Sequence, residues 1–337
     1  MRLRTSLAGL AVAGVLATAA HALTLYHPGT LFLTRDDATV WVFFGRACSG
    51  GTCPGWARVE NDGRLGSLVA GMRGPYRLRD DNAILRLGAP CEEPGCTRWQ
   101  LLDNNPATYR IAASEYKLFQ LHRGGAIYGF TGTPCGPEGC RGWQLLDNNP
   151  ATLGIATGGG ILYQVHRDGK IWRYTGTPCD SGGRCPGWQM LDDSAAEKGI
   201  FAGRGTLFQL RRDNTMWVYT GVPCDARGCR GWRMIDSNPA TTMIEPVDTD
   251  LYQLHRGGAL LRYTGAPCGP EGCRGWELID NNPSTNHIVG GGASLFQRHT
   301  GGAILRYTGT PCGAEGCRGW ELVNNDPTTR QVVGARR

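Results

Sequence analysis

The sequence predicts an all-β fold: a seven-bladed β-propeller with four antiparallel strands per blade and one disulfide in each C–D loop. Three observations predict it. Cysteine occurs 14 times, and the residues fall in seven close pairs. The first members, Cys48, Cys91, Cys135, Cys179, Cys224, Cys268 and Cys312, recur every 43 to 45 residues. The second members, Cys53, Cys96, Cys140, Cys185, Cys229, Cys273 and Cys317, are each followed three residues later by a Trp. A repeat of roughly 40–50 residues built from strand-type segments is the signature of a propeller blade. A linear β-solenoid is the structural alternative, but its coils are shorter. Composition agrees. Gly contributes 51 of 337 residues and charged residues only 19%. That excludes a disordered polar chain and speaks against a helical bundle. The glycines have no three-residue period, which excludes collagen.

One unit, Ile155 to Leu191, shows the strands in order. A short segment at Ile155-Ala156 is strand A. Ile161–His166 is strand B, bounded by the hairpin signal Arg167-Asp168-Gly169. Ile171–Tyr174 is strand C, closed by Thr175-Gly176-Thr177-Pro178, and Trp188–Leu191 after the Cys loop is strand D. These runs are rich in aromatic and β-branched residues and punctuated by Gly or Pro. The ends complete the ring. Arg330–Gly334 aligns with strand A, whereas the first unit begins near Thr30–Leu33, which aligns with strand B. The C-terminal segment therefore supplies the inner strand of the first blade, and Leu23–Gly29 becomes an extra arm. The alternative makes that arm the inner strand.

Residues 1–22 read as a secretory signal peptide. Arg2 and Arg4 precede a small-residue apolar run, and Ala20-His21-Ala22 has the small-x-small pattern of a cleavage site. The run is shorter than a membrane span requires; an N-terminal anchor is the alternative. Residues 23–337 then form one propeller domain. Removing the two Arg lowers the formal charge from +6 to +4, too modest and too evenly spread for a nucleic-acid partner. No later stretch is apolar enough to span a membrane. Export to an extracellular or periplasmic compartment makes paired cysteines disulfides, each stapling one six- or seven-residue loop by roughly 2 kcal/mol. Seven separate two-Cys sites without neighbouring His fit zinc or iron poorly, and the C-x-x-C spacing of oxidoreductases is absent.

Alternating strand direction sorts the loops. Cys loops share one face with the A–B turns; B–C turns and D–A crossovers share the other. Polar residues concentrate on the second face. Its crossovers include Asp103-Asn-Asn105-Pro, Asp147-Asn-Asn149-Pro and Asp280-Asn-Asn282-Pro. Strand B of the following blade ends nearby in pairs such as His166-Arg167 and His255-Arg256. Carboxylate, amide, imidazole and guanidinium groups together suit sugar hydroxyls, which need several donors and acceptors at once. Asp103, Asn105, Asp147, Asn149, His166, Arg167, His255, Arg256, Asp280 and Asn282 are therefore the candidate ligand-binding residues. Two plainer readings stand beside this. Asx side chains make turns, and a recurring Asp with a recurring His can be a network holding blades together. The His position is Arg35, Arg79 and Arg211 in three units, which suits a tolerant surface or network better than catalysis or metal binding. The repeated Trp packs against the next blade, or stacks on a sugar. Arg173, Arg262 and Arg306 are solvated, or reach acidic glycans.

No cofactor, metal or enzyme signature stands in the sequence: there is no P-loop, nucleophile elbow or H-E-x-x-H. Catalysis needs one unequal constellation, and here the polar groups repeat almost evenly.

The stretch Leu162-Tyr-Gln-Val-His-Arg-Asp-Gly-Lys-Ile-Trp-Arg-Tyr174, followed by Gly187-Trp188-Gln189, resembles the repeats of tectonin and tachylectin-2-like propeller lectins. The resemblance implies a secreted recognition lectin with sites between blades; the Cys pair in every unit departs from it. The expectation is a multivalent binder of glycans or cell-surface polysaccharide. The alternatives are a protein-interaction scaffold, and a hydrolase or lyase acting through the degenerate unit around Asp192, Asp193 and Glu197.

Overall fold

The computed structural model describes residues 31–60, 64, 66–90, 97–194 and 197–335. The expected signal peptide, the arm Leu23–Gly29 and the pair Cys91 and Cys96 lie outside the described residues.

Twenty-eight strands form seven antiparallel sheets of four. In blade 4, strand A is Thr152–Gly158, B is Ile161–His166, C is Ile171–Tyr174 and D is Trp188–Asp192. Strand A, expected as a short segment, is seven residues long. Its small residues, Gly154, Ala156 and Gly158, weaken the propensity signal but fit the crowded centre of a ring. The strand at Thr329–Gly334 pairs antiparallel with Leu31–Arg35, setting Phe32 opposite Val333. The C-terminal strand is thus the inner strand of blade 1, and the ring closes through hydrogen bonds between the chain's two ends.

The cores lie between blades. Phe119, Leu121, Ile127 and Leu146 of blade 3 pack with Ile155 and Leu162 of blade 4, and Trp188 flanks them. The same cluster recurs around the ring, so each sheet buries both faces against its neighbours. The seven A strands contact one another cyclically around a central channel of about 440 Å³. They converge at the A–B turns. A Cβ on Gly158 would lie 2.3 Å from the Gly203 carbonyl oxygen, and one on Gly334 would lie 1.9 Å from that of Gly290. Only glycine admits this approach.

A bulge in strand D organises the joints. In blade 3, Ile127 pairs with Asp147 but Tyr128 with Leu145, leaving Leu146 unpaired. Its freed carbonyl accepts the indole N–H of Trp188 from blade 4, at 2.9 Å. Trp143, Trp232, Trp276, Trp320 and Trp56 repeat the bond to Leu102, Leu191, Ile235, Ile279 and Val323. Each of these six Trp therefore docks on the preceding blade, not the next one.

Among the described residues six disulfides close C–D loops, from Cys48–Cys53 to Cys312–Cys317, with Cα atoms 4.0–4.1 Å apart. These loops also lean on the preceding blade. The amide of Cys135 donates to Leu101 O at 3.1 Å, and that of Cys48 to Leu322 O at 2.8 Å. Each described loop thereby covers an outer edge strand that would otherwise expose unpaired backbone. Gly142, just before Trp143, makes room: a Cβ there would lie 1.8 Å from Thr133 O.

Candidate functional site at the blade joints

The polar column predicted at the crossovers is a real constellation, and most of it faces inward. Asp103 ends strand D of blade 2. Its Oδ2 accepts from Gln120 Nε2 of blade 3 at 2.7 Å, and Gln120 Oε1 accepts from Thr108 Oγ1. Asp280 accepts from Gln297 Nε2 at 2.8 Å, while Gln297 Oε1 accepts from Thr285 Oγ1. These are Asp–Gln–Thr links spanning neighbouring blades. Asp103, Asp147 and Asp280 are 5–6% exposed, and His166 and His255 are 5% and 9% exposed. The Gln, invisible as a site residue because it sits in a strand, is the centre of each link. Its recurrence two residues before the His was the available signal.

The imidazoles lie over the strand C residue opposite. His166 stacks on Trp172 with centroids 5.7 Å apart, and His122 on Tyr128 at 4.6 Å. Arginine does the same in two other blades: Arg35 lies 3.8 Å from the Trp41 ring centre and Arg211 lies 4.2 Å from that of Trp217. Burial pushes His122, His166, His255 and His299 below the ordinary imidazole value, against the pull of the nearby Asp carboxylates. At the joint of blades 3 and 4, Asp147 Oδ2 and His166 Nε2 are both buried without a hydrogen-bond partner.

Asn105, Asn149 and Asn282 accept the amide N–H two residues on, each at 2.9 Å, forming Asx turns that lead into strand A. The groups left on the surface are different ones. Arg167 and Arg256, both predicted, are exposed, as is Arg123. So are Asn104, Asn148, Ser237 and Asn281, the residues directly after the buried Asp. Each lies beside the second Cys of the following blade: Asn148 Oδ1 is 3.6 Å from Cys185 Sγ, and Asn104 Oδ1 is 3.7 Å from Cys140 Sγ. The Cys loops therefore run down the outer edge to the crossovers. Strand direction alone had assigned them to the opposite face.

Strand C arginines are tied to strand D: Arg262 to Glu277 at 2.8 Å, and Arg173 to Gln189 at 2.7 Å. Asp192, Asp193 and Cys229 bring ligand-type atoms within 4.8 Å. Cys229 is disulfide-bonded, and Asp192 Oδ2 already takes Gln209 Nε2 and Ser194 Oγ. That set is a poor cation site, because a disulfide sulfur has no thiolate. Asp193 is exposed, and the Glu197 side chain lies outside the described residues. Among the described residues, no helix is long and apolar enough to cross a membrane.

No protein family matches the chain in sequence, and no curated protein does. Solved structures match in fold. Prp20p from Saccharomyces cerevisiae superimposes with a TM-score of 0.54 at 12% identity, over 96% of this chain and 93% of its own. Apo AztD from Citrobacter koseri gives 0.53 at 10%, over 90% and 97%. YCF48 bound to D1 peptide gives 0.51 at 12%, over 88% and 90%. At such identities the likeness establishes the propeller and nothing finer.

Proposed function

We propose that the chain is an exported, multivalent carbohydrate-binding propeller whose ligand is gripped at the blade joints. The observation that carries this reading is the repeated surface pair left outside the buried network: the crossover amide or hydroxyl of Asn104, Asn148, Ser237 and Asn281, and the B–C turn guanidinium of Arg123, Arg167 and Arg256. Amide and guanidinium groups satisfy sugar hydroxyls or acidic sugars. Weak, nearly equal sites around one ring gain avidity on a repetitive polymer. The likeness to tectonin-type lectin repeats and the leader-like N-terminus support the same reading, as do the six disulfides. Binding to a glycan array and to cell-wall polysaccharide tests it. Joint substitution Asn148→Ala and Arg167→Ala should weaken polysaccharide binding several-fold and leave the fold intact. A well-folded protein that binds no glycan or polysaccharide overturns it.

A protein-binding ring is the second reading. Exposed apolar side chains at the C–D loops, Phe44 (49% exposed) and Val222 (53%), favour it. Prp20p is described with binding to Gsp1p and histones, and YCF48 with D1 peptide. Capture of a defined protein partner with no glycan binding decides for this reading.

A further inference from the structure

The sevenfold pattern breaks at one place inside the ring. Strand B carries a buried Leu or Val just before its last residue in five blades: Leu78, Leu121, Val165, Leu210 and Leu254, each 7% exposed or less. Blade 1 has Thr34 and blade 7 has Arg298. Arg298 pairs in register with His287 on the inner strand. No other blade sets two basic side chains opposite each other there: the matching pairs are Arg110 with Leu121, Gly154 with Val165, Gly199 with Leu210 and Met243 with Leu254.

His287 lines the central channel. The rest of the lining is mainly apolar, and its partly exposed side chains include Val69, Ala112, Ala156, Ile200, Phe201 and Val333. Its other polar side chains are occupied in bridging inner strands. Gln331 accepts from Leu68 N and donates to Leu68 O. Glu245 accepts from Gly290 N, and Thr157 donates to Ala113 O. His287 makes no hydrogen bond among the described residues. Burial and the neighbouring Arg298 push its imidazole below the ordinary value, so it is neutral near pH 7. Arg298 is partly buried. It donates only to neutral acceptors, Asn286 Oδ1 at 3.3 Å and the Arg330 carbonyl, and has no carboxylate partner among the described residues. A desolvated guanidinium without a counterion favours an anion beside it.

We propose that the central channel binds a small amphipathic carboxylic acid, with its apolar body against the apolar wall and its carboxylate at the His287 end, where Arg298, the register partner of His287 on strand B, stands behind the lining. The volume, about 440 Å³, falls within the roughly 300–1,000 Å³ of small-ligand sites. The inner strands converge at the A–B turns and Arg298 lies toward the crossovers, so the ligand enters from the crossover face with its head group outermost. Glu245, the one acid in the lining, sits two residues further in on the adjacent inner strand and is turned onto the Gly290 amide, clear of the head group. The crossover amides and arginines of the surface sites play no part, so this site and the glycan reading stand or fall separately.

Calorimetry with straight-chain monocarboxylates from hexanoate to dodecanoate tests the proposal, with the matching primary alcohols as controls. Affinity should rise about fourfold per added methylene until the channel is full, and each acid should bind at least tenfold tighter than its alcohol. Arg298→Leu installs the residue of blades 2, 3, 5 and 6 and should fold. It should bring acid and alcohol to equal affinity. Ala156→Phe, which fills the lumen beside Phe201, should abolish binding of both. Three results overturn the proposal: no acid binding at millimolar concentration, no preference for acid over alcohol in the unsubstituted protein, or a preference that survives Arg298→Leu.

Discussion

The joint between blades 7 and 1 is regular, and the chain crosses it from Trp320–Asn325 into the inner strand Thr329–Gly334. The joint between blades 1 and 2 is crossed by the chain in the same way, yet it is irregular. At the first, Trp56 donates to Val323 O at 2.6 Å, Cys48 N donates to Leu322 O, and the bulge residue Val323 is fully buried. At the second, Trp99 Nε1 has no hydrogen-bond partner and the bulge residue Val59 is only half-buried. Arg98 stands where the other blades have the Gly before Trp, and Arg77 replaces the strand B Gln. Arg77 is almost fully buried, its guanidinium 6.0 Å from the Trp99 ring centre. The inner edge compensates. Gln331 of blade 1 holds Leu68 of blade 2 through both its donor and its acceptor. Both joints are crossed by the chain, so what separates them is this repeated set of side-chain contacts, complete at the first and replaced at the second.

The sharpest way to break the regular joint is to disrupt the strand that completes it. Val332 is 2% exposed and packs with Leu31, Leu33 and Phe296. Val332→Asp buries an unpaired carboxylate among them and should cost several kcal/mol. We expect loss of cooperative unfolding by circular dichroism and a protein open to proteolysis at both ends.

A smaller effect separates the two joints directly. Trp56→Phe leaves the Val323 carbonyl unpaired in a buried site, at about 1–3 kcal/mol. Trp99→Phe removes an indole N–H that has no acceptor, so only the packing difference remains. The urea midpoint should fall at least twice as far for Trp56→Phe. Equal shifts would show that the bulge carbonyl bond does not hold the joints.

The converse test is internal. Gln331→Leu removes both bonds to Leu68 while keeping the bulk, and we expect a loss of about 1–2 kcal/mol. Thr157→Val, which removes the single bond to Ala113 O at a regular joint, should cost about half of that. Hydrogen exchange at the Leu68 amide should accelerate in the Gln331 variant and stay unchanged in the Thr157 one.

Much of this architecture was legible because the repeats are tied to covalent and aromatic landmarks. Cys and Trp spacing set the blade count, and the alignment of Arg330–Gly334 with strand A set the closure. The bulge was not legible, since Leu102 or Leu146 reads as ordinary strand. Nor was the lean of each Cys loop onto the preceding blade, which depends on neighbours about 40 residues away. At the crossovers, sequence alone could not decide which Asx faces solvent. Asp147 ends a strand and turns inward, whereas the next residue, Asn148, turns out. The inequality at His287 and Arg298 was hidden because the two lie 11 positions apart and become partners only through strand register.

The smallest effect comes from pH. His122, His166, His255 and His299 are held below the ordinary imidazole value by burial, so the unfolded chain binds more protons near that value. Stability is therefore full above roughly pH 7 and falls as pH drops through roughly 6.5. The fall arises in blades 3, 4, 6 and 7. Blades 1, 2 and 5 carry Arg35, Arg79 and Arg211, which stay charged in both states. Blade 5 shows how to remove the dependence, because Arg211 lies over Trp217 much as His166 lies over Trp172. His166→Arg should fold, reach Asp147 as Arg211 reaches Asp192 at 3.6 Å, and reduce the difference between urea midpoints at pH 7.5 and 5.5. An unchanged difference would show that the imidazole column is not what makes the joints sensitive to acid.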